Sequence, residues 1–130
     1  ARELMSLCYA DPRRLPKQRQ QDMVVEVKRR MALPYNSDIA AASARALFDA
    51  AAADKGRSIW RLARQIDAPT FAIYGTDDQL VPVELAPKAA SSFRNSQVTI
   101  LPDCGHCARM EHPRLTAQLF WQWRATTGAA

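Results

Sequence analysis

Asp103-Cys104-Gly105-His106-Cys107-Ala108-Arg109-Met110-Glu111-His112-Pro113 decides the reading of this chain, together with Gly75-Thr76-Asp77-Asp78-Gln79-Leu80-Val81-Pro82 upstream of it. Each stretch follows a short apolar run: Thr70-Phe71-Ala72-Ile73-Tyr74 before the first, Gln97-Val98-Thr99-Ile100-Leu101 before the second. Runs of this length and composition, the first introduced by Pro69, read as strands. Between and after them the pattern is helical, at 84–93 and 113–124. Strand, helix, strand, helix at this spacing implies a parallel sheet with right-handed crossovers. Asp78 and His106 then leave the carboxyl ends of neighbouring strands, on the edge where open α/β sheets place their chemistry. A carboxylate there can accept from an imidazole N–H, fix its tautomer and stabilise the imidazolium.

Taken singly, Asp77-Asp78 suits an ordinary turn and His106 an ordinary loop. Their joint pattern is specific. "PTFAIYGTDDQLVP" followed by "DCGHCARMEHP" resembles the C-terminal section of the α/β-hydrolase superfamily, in residues 66–125. That resemblance implies an α/β fold, a nucleophile–acid–His chain order, Asp78 as the orienting acid with Asp77 as its neighbour, and His106 as general base and then general acid. Glu111 and Pro113 stand where the family has an acidic-Pro segment after its His. The resemblance divides the chain into a helical cap segment, 1–56, and the C-terminal part of the hydrolase core, 57–130. It implies a small-molecule substrate and no cofactor or metal.

The nucleophile is missing from these 130 residues. A G-x-S-x-G elbow sets Ser on a strained turn between strand and helix. Gly56-Arg57-Ser58-Ile59-Trp60 has one of the two glycines and no strand before it, so Ser58 is expected to cap a helix. The chain is also short of the ~250 residues that a complete fold of this kind occupies. It opens on Ala1, and two strands do not make a buried parallel sheet alone. The expectation is therefore a C-terminal fragment of an esterase-like hydrolase whose N-terminal half lies elsewhere. The alternative is a non-catalytic remnant or one half of a split enzyme.

Residues 1–66 read as helical, at 2–9, 16–31, 36–53 and 58–65. Asp11-Pro12 ends the first, Met23, Val24, Val27 and Met31 form a stripe on the second, Asn36, Ser37 or Asp38 can cap the third, and Gly56 breaks it. The apolar content of the cap segment favours an apolar acyl or ring-bearing substrate.

Cys104-Gly105-His106-Cys107 raises a rival chemistry, thiol–disulfide exchange through a C-x-x-C pair. Little chain follows it, and Asp103 and Ala108 flank it where such enzymes carry Trp and Lys. Cys104, His106 and Cys107 are too crowded, without a distant fourth ligand, for a tetrahedral metal site. The bland expectation is small semi-buried thiols, which could form a Cys104–Cys107 disulfide under oxidation. His112, beside Pro113, is expected to be a surface loop residue. Three cysteines make no disulfide scaffold, so a reducing, cytoplasmic setting is expected. The net charge of +5 comes without a nucleic-acid recognition motif. No apolar run approaches the ~18 residues of a membrane span.

Overall fold

A computed structural model describes residues 2–52 and 58–128. The expected break at Gly56, and Arg57 beside it, lie outside the described residues. Helices α1 (Arg2–Cys8), α2 (Lys17–Met31), α3 (Asn36–Ala52) and α4 (Ile59–Ala63) precede strand β1 (Thr70–Gly75). Helix α5 (Ala86–Ser92), strand β2 (Ser96–Leu101), the short α6 (Ala108–Glu111) and α7 (Pro113–Thr127) follow. The two strands pair in parallel, from Thr70 opposite Ser96 to Gly75 opposite Leu101. The fold class is α/β, and both strands end level with each other. Asp78 and the His106 loop therefore emerge side by side.

The crossover helix fits closely because its inward positions are small. Ala86, Ala89 and Ser92 are buried, and Ser92 satisfies its hydroxyl by donating to the Lys88 carbonyl at 2.7 Å. The helix is shorter than the expected 84–93. A separate 3-10 turn, Val83–Leu85, comes first, and the α-helix opens at Ala86 with Pro87 in its first turn, where a missing N–H costs no bond. On α7, Trp123 is buried and stacks on Phe71 of β1, with ring centroids 5.6 Å apart and planes 16° off parallel. Gly128 ends α7 in the left-handed conformation, φ 62°, a C-terminal cap the sequence reading did not include.

A second core gathers Met5, Tyr9 and Leu15, with Cys8, Met23, Val24, Cys107 and Met110 packed against it. It joins the end of α1 and the inner face of α2 to the His106 loop. The stripe expected on α2 is half-buried at Met23, Val24 and Val27 and exposed at Met31, which is 69% exposed. Helix α3 lies outermost and leaves Ile39, Leu47 and Phe48 exposed. It starts at Asn36, where Ile39 N–H already donates to the Tyr35 carbonyl. Ser58 precedes α4 at the N-cap position with no side-chain capping bond.

Candidate active site

The turn after β1 folds on Asp78. Its Oδ1 accepts from the backbone N–H groups of Leu80 and Val81 at 2.8 and 3.0 Å, the local loop closure that Asp favours in turns. Its Oδ2 faces His106 Nδ1 at 2.9 Å. The Asp78 side chain is 6% exposed and that of His106 43%. Burial pushes the Asp78 carboxyl up, but the bonds from Val81, His106 and Leu80 outweigh it and hold the group below the ordinary carboxylate value. An ionised carboxylate only accepts, so Nδ1 carries the proton. The opposite ring nitrogen, Nε2, is then the basic one. No hydrogen bond among the described residues engages it, and the half-exposed ring leaves it open to a reactant.

Of the Asp77–Asp78 doublet, only Asp78 meets the histidine. Asp77 is exposed; its carboxylate accepts from the Thr76 hydroxyl at 2.8 Å, and its N–H donates to the Cys104 carbonyl at 2.9 Å. The same hydroxyl accepts from Asp103 N–H at 3.1 Å. The two turns are thus stitched to each other beneath the Asp78–His106 pair. Asp103 takes a positive φ of 50°. That aims its carbonyl at His112 Nε2, which donates at 3.2 Å, and at Arg14, which donates at 3.4 Å. His112, expected to be a surface loop residue, lies in the bend between α6 and α7, half-buried, and braces this loop.

The loop is also fixed from α1. Glu111 accepts from Gly105 N–H at 2.8 Å through one oxygen and from Ala10 N–H at 2.9 Å through the other. Cys107 N–H donates to the Cys8 carbonyl at 3.2 Å. The sequence reading placed Glu111 in the motif but gave it no role.

All three cysteines are free, Cys104 buried and Cys8 and Cys107 half-buried. Cys104 is fully buried and its thiol donates to the Gly105 carbonyl at 3.5 Å. Burial, reinforced by the Glu111 and Asp78 charges, pushes that thiol up to about 11, the reverse of a reactive thiolate. Cys107 instead lies against Cys8 and Tyr9. Burial raises the Cys8 thiol and pushes the Tyr9 phenol up to about 12, with Cys107 the next contributor to each. Among the described residues no three His, Cys, Asp or Glu side chains are grouped to hold a metal ion, Cys104, His106 and Cys107 included. The first disulfide formed under hydrogen peroxide is accordingly expected to link Cys8 and Cys107, two thiols losing their hydrogens as peroxide goes to water. Unreduced peptide mapping checks this, and a Cys104–Cys107 link would refute it.

Comparisons with known proteins identify the family. A family model described as alpha/beta hydrolase fold matches residues 12–113. Monoacylglycerol lipase ABHD6 of Bos taurus is 34% identical over 125 residues, covering 95% of this chain and 34% of the lipase. The chain therefore spans about a third of the length of that relative. A 2-hydroxy-6-oxo-6-(2'-aminophenyl)hexa-2,4-dienoic acid hydrolase of Metapseudomonas resinovorans is 44% identical over 50 residues, 38% of this chain and 17% of the enzyme. The crystal structure of a membrane phospholipase A, described as a bacterial virulence factor, superposes with TM-score 0.72 at 20% identity. It covers 99% of this chain and 38% of the phospholipase, and at that identity it bears on the fold alone. With a family match across most of its length and a parallel sheet that ends in an Asp–His pair, the chain belongs to the α/β-hydrolase family.

Proposed function

We propose that this chain supplies the acid and the base of an ester-cleaving α/β hydrolase, and that the nucleophile and oxyanion donors stand on sequence outside these 130 residues. The observation that carries this reading is the Asp78 carboxylate: one oxygen fixed by two backbone amides, the other 2.9 Å from His106 Nδ1. With Nδ1 protonated, Nε2 takes the proton of a nucleophile hydroxyl as that oxygen attacks the substrate carbonyl. Asp78 stabilises the imidazolium that results. Nε2 then returns the proton to the departing alcohol, and the same cycle with water releases the acid.

A monoacylglycerol is the proposed substrate class, because the similarity to the lipases extends over nearly the whole chain, including the helices ahead of β1. A second reading, carbon–carbon bond hydrolysis of a 2-hydroxy-6-oxo-dienoate, is favoured by the higher identity over a short stretch. In either reading residues 1–56 form the cap, and the enzyme works in a reducing, cytoplasmic setting.

The test is turnover by the full-length protein of 1-oleoylglycerol beside a 2-hydroxy-6-oxo-dienoate. Release of oleate, blocked by a fluorophosphonate, is expected. Turnover of the dienoate alone would move the assignment to the second reading. Inactivity on both, with no fluorophosphonate labelling, would make the chain a remnant.

A further inference from the structure

The loop that bears His106 lies between β2 and α6, and residues 102–107 belong to neither. Its position is set by bonds to other segments. Two of them flank His106: Gly105 N–H to Glu111, and Cys107 N–H to the Cys8 carbonyl. Glu111 is the unusual member. Its second oxygen accepts from Ala10 N–H, 101 positions away, just past the end of α1. At this point the two backbones cross very closely: a Cβ on Gly105 would sit 2.7 Å from the Ala10 nitrogen and 2.8 Å from the Tyr9 carbonyl carbon. Two amide hydrogens from crossing chains need an acceptor, and one carboxylate serves both.

We propose that Glu111 is a positioning residue for His106: by tying the peptide before His106 to the end of α1, its carboxylate sets the distance at which Nδ1 meets Asp78. Glu111 touches neither the imidazole nor Asp78 by hydrogen bond, so it acts through the Gly105 peptide. This rests on the reading of His106 as the base.

The readout is the downfield proton resonance of His106 Nδ1–H together with steady-state kinetics on 1-oleoylglycerol, in the full-length protein. Glu111→Ala is expected to lose that resonance to exchange and to lower kcat about 100-fold, with KM within about twofold, as loosening of a supporting contact does. Glu111→Gln keeps one acceptor oxygen, enough for one of the two amides. It is expected to keep a weakened resonance and to lose only about fivefold to tenfold in kcat. The proposal is overturned if Glu111→Ala keeps the resonance, or if its kcat falls only in proportion to the folded fraction seen by circular dichroism. If Glu111→Ala does not fold, Glu111→Gln decides: a variant identical to wild type in kcat and resonance overturns it. His106→Ala separates the two levels, because full activity in that variant removes the reading of His106 itself.

Discussion

In the full-length enzyme, His106→Ala is expected to lower kcat by about 10³–10⁴-fold, and Asp78→Asn by a similar factor. On the proposed reading, the first change removes the base that accepts the nucleophile's proton. The second leaves a side chain of the same shape but exchanges one acceptor oxygen for a donor. Oδ1 must keep accepting from Leu80 and Val81 N–H, so the new amide faces His106. The imidazole then turns its unprotonated nitrogen inward, and Nε2 carries the proton it should receive. The double variant should be little slower than either single one, since both act on one proton transfer. Asp77→Asn is the control. Its carboxylate bonds to Thr76 and not to the histidine, so kcat should stay within about twofold of wild type. Single-turnover kinetics on 1-oleoylglycerol check all four. Equal losses at Asp77 and Asp78 would remove the assignment of the acid.

The second large effect is on folding. Gly75 closes β1, and a Cβ there would lie 2.1 Å from the Cys104 carbonyl oxygen and 2.5 Å from that of Gly105. Both obstacles are backbone, so no side chain can rotate away. Thr76 and Asp77 donate to the Leu101 and Cys104 carbonyls just beyond, which leaves the chains no room to separate without losing those bonds. Gly75→Ala is expected to cost about 4 kcal/mol or more, at the extreme of single substitutions. Gly128→Ala should cost about 1 kcal/mol: a Cβ there meets nothing within 4 Å, and only the positive φ opposes it. Urea unfolding of the three proteins checks the contrast. A Gly75→Ala protein within 1 kcal/mol of wild type would show that the two turns are not in the contact described.

The sheet and the meeting of Asp78 with His106 at its edge were legible because they depend on local pattern. Thr70-Phe71-Ala72-Ile73-Tyr74 and Gln97-Val98-Thr99-Ile100-Leu101 are apolar runs with turn residues behind them, and a parallel connection fixes where Asp78 and His106 emerge. The choice of Asp78 over Asp77 came from family resemblance; in the structure it follows from which carboxylate the Leu80 and Val81 amides can reach. The part that was not legible depends on contacts far apart in sequence. Nothing near Cys107 announces that its neighbour is Cys8 and not Cys104. The role of Glu111 depends on Ala10 arriving beside Gly105, and no periodicity encodes that. The partner of His112 was hidden for the same reason, since it is a carbonyl presented by the positive φ of Asp103. The shortening of α5 was partly readable from Pro87, which the pattern placed too deep in the helix.

The bond between Ala10 and Glu111 also has a consequence for when the site comes into being. It closes a loop of about a hundred residues, and such closures are late and slow because the chain must search before any contact rewards it. In chain order Asp78 and the whole first strand precede Glu111, the residue that ties down the histidine loop. Asp78 is seated by amides two and three residues away, whereas the His106 loop is seated only once Ala10 and Glu111 have met. The contact between Asp78 and His106 is therefore among the last features of this chain to form.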